Sequence, residues 1–146
     1  MLKLKCTWNE KMKFTGEADG LSVSMDTKSP VGSDSALTPK QLTLAGVCGC
    51  TAMDVVGLLR KFKQNLQSFT VEAEAPTTEG GHPVVFKEIK LLFRMHGPIE
   101  KEKALEAVKL SQTKYCGVSA MLSKAAPITY TVELNGEVIG DGHAQF

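Results

Sequence analysis

Two cysteines in this 146-residue chain sit in small, apolar stretches of the kind that favour thiol chemistry. Cys50 lies in Val47-Cys48-Gly49-Cys50-Thr51-Ala52-Met53-Asp54-Val55-Val56, and Cys116 in Lys114-Tyr115-Cys116-Gly117-Val118-Ser119-Ala120-Met121-Leu122. Each stretch reads as the start of a helix. Unpaired N–H groups and the helix dipole stabilise negative charge there, so a thiol so placed ionises below its free pKa of about 8.5. Widely separated in sequence, the two form no local metal hook but are free to meet in three dimensions. On the residues alone, a redox-active pair and two inert buried cysteines are equally open readings.

The neighbouring groups narrow the chemistry. Cys48 competes with Cys50, but at 100° per residue positions 48 and 50 fall on nearly opposite sides of a helix, so both cannot line one pocket. Cys48 is expected as a small buried hydrophobe, and Cys6, on an alternating segment, as structural. Asp54, one turn after Cys50, would raise a nearby thiol's pKa unless turned to another partner, and is expected as a buried hydrogen-bonding residue. His82, His96 and His143 form no metal-ligand spacing and Cys48-x-Cys50 lacks a second ligand pair, so neither metal nor cofactor is expected. There is no glycine-rich phosphate loop and no nucleophile elbow.

With 17 basic residues against 16 acidic, the chain has no electrostatic footprint for nucleic acid or an anionic membrane, and small uncharged partners are expected. At 42% hydrophobic it can bury one real core, which reads as a single domain over residues 1–146. Met-Leu-Lys-Leu-Lys-Cys at the start lacks the continuous apolar run of a secretory signal, so a reducing, cytoplasmic setting is expected. Leu42 to Leu59 approaches the roughly 20 apolar residues of a membrane span, but Gly46, Gly49, Thr51 and Gly57 dilute it and Arg60-Lys61 comes directly after, favouring a buried core helix.

The supporting elements can be read in order. Lys3–Trp8, Met12–Thr15 and Leu21–Met25 alternate as three short antiparallel strands, with turns at Asn9-Glu10 and Asp19-Gly20. Asp26–Leu37 is an exposed loop of turn formers. Thr38-Pro39-Lys40-Gln41 supplies an N-cap, a first-turn proline and a capping-box glutamine. Because glycines interrupt the apolar stretch beyond it, a short helix from Pro39 to about Gly46 and a buried one from about Gly49 to Phe62 are expected, with Cys50 in the first turn of the second. Phe69–Ala75 and Val84–Met95 read as strands around a turn at 76–83, Pro98 opens a helix, a further helix spans Cys116 to Ala125, and Ile128–Leu134 is the last strand. The tail 140–146 is expected to fray. The class is α+β.

In these motifs, over Leu21 to about Leu134, the chain resembles the osmotically inducible protein C and organic hydroperoxide resistance (OsmC/Ohr) superfamily. The residues that carry the likeness are Gly49-Cys50-Thr51-Ala52-Met53-Asp54-Val55-Val56 and Tyr115-Cys116-Gly117-Val118-Ser119. The resemblance implies a domain-swapped, intertwined homodimer with antiparallel sheets wrapped around central helices, both sites lying at the interface. It also implies a thiol peroxidase in which Cys50 attacks an organic hydroperoxide and Cys116 resolves it to a disulfide, regenerated by an external dithiol. A sulfenic acid escapes further oxidation only when a second thiol reaches it, so the paired cysteines fit.

The chain departs from the family pattern in one respect. Active members pair an arginine with a glutamate before the reactive cysteine, whereas here Gln41 stands near that place and the only arginines are Arg60 and Arg94. Lys28 could supply the charge as a substrate-binding group with Gln41, but it lacks arginine's planar fork and reads more readily as a solvated loop lysine. The alternative function is a non-enzymatic module that binds a small hydrophobic ligand or senses redox state. Val47, Ala52, Met53, Val118, Ala120, Met121 and Leu122 give the thiols an apolar neighbourhood suited to either role.

Overall fold

The computed structural model describes residues Met1–Phe146. By its internal contacts the chain forms two compact units, residues 1–45 and 46–146, where the sequence reads as one domain. The boundary falls inside a helix, α1 (Pro39–Lys61), so no linker composition marks it.

In the first unit β1 (Lys5–Glu10), β2 (Lys13–Ala18) and β3 (Leu21–Met25) form an antiparallel sheet in that order. The first turn is Lys11-Met12 rather than Asn9-Glu10. Asn9 stays in β1, where its Oδ1 accepts from Thr15 Oγ1 at 2.8 Å, and Trp8 Nε1 donates across the turn to Lys11 O. Asp19 and Gly20 take the positive φ of the second hairpin turn, 52° and 77°. After β3 the loop folds around one anion. The Asp26 carboxylate accepts from the backbone N–H groups of Thr27, Ser33 and Ser35 and from Ser35 Oγ, and these donors hold its pKa down at about 2. Gly32 is packed so tightly against Thr27 O and Asp26 Oδ1 that a side chain there would open the loop.

The second unit is built on a four-stranded sheet in the order β4 (Ser68–Glu74), β5 (Ile89–His96), β6 (Ile128–Leu134), β7 (Glu137–His143). The β5–β6 pair is parallel, so this sheet is mixed and not antiparallel throughout. The cause is the connection: α2 (Lys101–Leu110), a π-helical turn (Ser111–Tyr115) and α3 (Gly117–Leu122) form the crossover that a parallel pair requires. Alternation along β5 and β6 sends Ile89, Leu91, Phe93, Met95, Ile128, Tyr130, Val132 and Leu134 to the buried face. Ala104, Ala107 and Val108 of α2 are buried with them.

Two expectations are overturned here. The tail does not fray, since residues 137–143 pair with β6 beyond the tight turn at Asn135 (φ 51°) and Gly136 (φ 82°). Its glycines are there for space: a Cβ on Gly140 would sit 2.7 Å from Leu105 Cδ2, and one on Gly142 2.5 Å from the Tyr130 hydroxyl. Nor does α1 break. It runs continuously over 23 residues because Val47, Thr51, Val55 and Leu59, four apart, bury one stripe whose packing outweighs a glycine cost of about 1 kcal/mol each.

That stripe is the only fully buried part of α1, so the helix is less buried than the core helix expected. It is long and apolar enough to cross a membrane by length and composition, with a mean hydropathy of 1.8 over a window that is 22% buried. On the opposite side Gly46, Gly49, Met53 and Gly57 recur at helical spacing; Met53 is 77% exposed, and nothing approaches the Cβ positions of the three glycines.

Candidate active site

The site begins where α2 fails to end in the ordinary way. Cys116 N–H donates to Ser111 O, five residues back, at 2.9 Å, closing the wider π turn over Ser111–Tyr115. Such turns insert one extra residue into a helix and recur at functional sites. Here the turn buries Ser111 and Gln112 and delivers Cys116 to the N-cap of α3 in an extended conformation, φ −71° and ψ 97°. The Cys116 sulfur accepts from Ser119 N–H at 3.3 Å, the role an oxygen plays in an ordinary N-cap.

α1 supplies the other half. Cys50 and Asp54 are one helical turn apart and flank the buried stripe, both half-buried, and Thr51 lies within it. Gln112 Nε2 donates to Thr51 Oγ1 at 2.9 Å, and Thr51 Oγ1 and Ser111 Oγ are 2.7 Å apart. Ser111 Oγ in turn donates to Asp54 Oδ2 at 2.9 Å. Since Ser111 has one hydroxyl hydrogen and spends it on Asp54, Thr51 must be the donor to Ser111. The chain Gln112→Thr51→Ser111→Asp54 therefore points every dipole at the carboxylate. A carboxylate oxygen of Asp54 and the sulfurs of Cys50 and Cys116 all lie within 4.8 Å of one another.

The two thiols differ in electrostatics from the sequence expectation. Cys50 lies in the interior of a continuous helix, more than two turns from Pro39, so the helix terminus assigned to it does not exist. Cys116 holds that position instead. Burial nevertheless pushes the Cys116 thiol above its ordinary value, opposed by the Ser119 hydroxyl and N–H and reinforced by the Cys50 thiol beside it. Ser119 Oγ is buried next to this sulfur without a well-formed hydrogen bond of its own. Cys48 lies outside the cluster, half-buried, its thiol pushed up by desolvation. Cys6 is exposed on β1, so it packs in no core of this chain, against expectation.

The other predicted site residues are engaged locally. Lys28 Nζ pairs with Asp34 Oδ1 at 3.4 Å with its side chain 71% exposed. Gln41 completes the capping box: its Oε1 accepts from Thr38 N–H at 2.9 Å, and its own N–H donates to Thr38 Oγ1 at 3.3 Å. Neither arginine serves the thiols. Arg94 is held by Glu72 and Glu133 on the sheet, and Arg60 lies ten residues along α1 from Cys50, about 15 Å at 1.5 Å per residue. Beside Asp54 a groove of about 330 Å³ is lined by Met53, Asp54, Gly57, Leu58, Lys61 and Tyr115.

Sequence reasoning does not single out Thr51, Ser111 or Gln112. The Cys50-x-x-x-Asp54 spacing places two members on one face, but nothing in Ser111-Gln112-Thr113-Lys114-Tyr115 announces a π turn.

An α+β fold with a paired thiol at the junction of a long helix and a capped turn defines a class, and comparison with known proteins gives it a name. The family model described as OsmC-like protein matches residues 32–131, and the chain belongs to this family. It is 36% identical over 135 residues to protein YhfA of Escherichia coli strain K12, covering 91% of this chain and 98% of that one. Among solved structures, an OsmC-like protein from Mycoplasma pneumoniae superposes with a TM-score of 0.81 at 15% identity, covering 92% of this chain and 96% of the other. An organic hydroperoxide resistance protein from Elizabethkingia anophelis superposes with a TM-score of 0.71 at 17% identity, covering 92% and 98%. These two likenesses concern the fold.

Proposed function

We propose that the protein is a thiol-dependent peroxidase for organic hydroperoxides, with Cys50 as the attacking thiol and Cys116 as the resolving one. The observation that carries this reading is the approach of the two sulfurs to within 4.8 Å, one half-buried and one fully buried. The Cys50 thiolate attacks the outer peroxide oxygen, the O–O bond breaks, and the alkoxide leaves as an alcohol after taking a proton. The sulfenic acid on Cys50 then condenses with Cys116, releasing water and forming a disulfide. An external dithiol returns both residues to thiols by exchange. The apolar groove beside Asp54 suits an alkyl or aryl substituent, so cumene hydroperoxide should be turned over with at least about tenfold higher kcat/KM than hydrogen peroxide.

The same reading includes a homodimer. The stripe Gly46, Gly49, Met53 and Gly57, exposed apart from the half-buried Gly49, would allow a second copy of α1 to approach closely, and Trp8, Leu21 and Val23 of the first sheet are large exposed apolar side chains. Light scattering in detergent-free buffer at micromolar concentration should report a dimer. A monomer, or a protein that stays in solution only with detergent, would remove this part.

A second reading keeps the pocket and drops the chemistry: a module that binds a small hydrophobic ligand, its thiols only redox-sensitive. It is favoured by the make-up of the cluster, since a carboxylate oxygen of Asp54 lies within 4.8 Å of the sulfurs and both arginines are elsewhere. Consumption of cumene hydroperoxide with a dithiol reductant separates the two. Turnover that disappears in Cys50→Ser supports the peroxidase; no turnover by reduced protein with an accessible Cys50 supports the binder.

A further inference from the structure

We infer that Cys50, Asp54 and Cys116 form a binding site for a thiophilic divalent cation of the zinc class, held by two thiolates and one carboxylate oxygen with a fourth position left to solvent. The inference rests on the same pairing of thiols as the proposed function but not on peroxide chemistry. Three donor atoms from two directions already lie within 4.8 Å of one another. A tetrahedral zinc with Zn–S bonds of about 2.3 Å needs sulfurs about 3.8 Å apart, so closure asks for side-chain movements of about 1 Å at most. Two of the donors sit one turn apart on a continuous helix, which fixes their spacing before any ion arrives.

The surroundings are those of ligands rather than of idle thiols. Metal-binding carboxylates are typically fixed by hydrogen bonds from behind, and Asp54 receives Ser111 Oγ at 2.9 Å at the end of the chain that starts at Gln112. The Cys116 sulfur receives the Ser119 N–H, which favours its thiolate, and the unpartnered Ser119 Oγ is buried beside it. Cys50, half-buried, leaves a way in and a coordination position for water. Binding breaks two S–H bonds and releases two protons to solvent; nothing is oxidised or reduced, and the bound unit carries one net negative charge. Because protons compete for both sulfurs, affinity rises with pH. An ion so held occupies the lone pairs that would attack a peroxide, so zinc reversibly blocks the thiols.

Cobalt(II) is the probe, titrated anaerobically into the fully reduced protein. One equivalent should bind with an intense thiolate-to-cobalt absorption band and release of two protons, and zinc should displace it. Cys48→Ser should leave the titration unchanged. Cys116→Ser should lose most of the band, and Asp54→Asn should weaken affinity at least about tenfold. Wild-type protein whose pair has been oxidised to a disulfide should bind no cobalt, a control that needs no variant to fold. No thiolate band, retention of the band after oxidation or in Cys116→Ser, or its loss in Cys48→Ser, would each overturn the site. Cobalt binding without peroxide turnover counts against the peroxidase alone, and turnover without cobalt binding counts against the metal site alone.

Discussion

The two halves of the thiol pair are presented by opposite kinds of backbone. Cys50 is carried by the interior of a 23-residue helix, where every nearby N–H is spent on the helix itself, and it keeps a route to solvent. Cys116 is carried by a break between two helices, where a free N–H from Ser119 reaches the sulfur, and it is sealed from solvent. Access and activation are thus given to different residues. In the proposed reaction a bulky peroxide would meet Cys50 first, whereas the amide that favours a thiolate sits behind it at Cys116. Burial outweighs that amide and pushes the Cys116 thiol above its ordinary value; in the proposed reaction it is the group that the sulfenic acid meets.

Substitution at each half separates these roles. Cys50→Ser should lower turnover of cumene hydroperoxide by about 10³-fold or more, since the group that accepts oxygen is gone. Cys116→Ser should spare the first turnover and slow steady-state consumption by on the order of 10²-fold, with a sulfenic acid that a dimedone probe traps on Cys50. If Cys116→Ser instead abolished the first turnover while Cys50→Ser left it, the assignments would be exchanged.

The raised thiol gives a pH test whose sign is fixed. A thiol above its ordinary value is mostly protonated at pH 7, and below its pKa the thiolate fraction grows about tenfold per pH unit. Where the Cys116 thiolate is the resolving species, the rate of disulfide formation in a rapid-quench experiment should climb by about that factor per unit from pH 6.5 to 8.5. A flat profile would mean that the Ser119 amide outweighs burial after all. The smallest effect belongs to Ser119→Ala, which keeps the amide and removes the hydroxyl: resolution at pH 7 should slow by roughly two- to fivefold while the first turnover is unchanged.

Legibility in the sequence tracks the physics of each element. Strands β1 to β6 are readable because their apolar residues alternate, and Ile128–Leu134 agrees to the residue, although β5 starts at Ile89 and not at the expected Val84. Strand β7 is not, because Gly140 and Gly142 depress every strand signal; both are glycine to make room for Leu105 and Tyr130, partners distant in sequence. The pair Asn135-Gly136 is the available clue, a strong hairpin signal. Continuity of α1 is hidden in the same manner, since its glycines cost helix propensity locally while the stripe that offsets them faces other elements. The pairing of Cys50 with Cys116 comes from the likeness of two motifs, and the carboxylate between them is visible only as a spacing. The hydrogen-bond chain through Ser111 and Gln112 is beyond reach, because it depends on one backbone bond made five residues back instead of four.

That single bond makes the site a matter of chain length. Upstream of Ser111 the helix is keyed to the sheet, and downstream of Tyr115 the chain is keyed to the thiol; the wide turn is the one-residue offset between the two registers. A variant with one residue added after Thr113 should exceed what one wide turn absorbs and rotate the segment beyond it by about 100°. Every residue with chemistry would still be encoded, yet the sulfur of Cys116 would no longer face Cys50. In an alignment of relatives, one added position between the second helix and the second cysteine would therefore mark loss of the paired-thiol site as surely as loss of a cysteine.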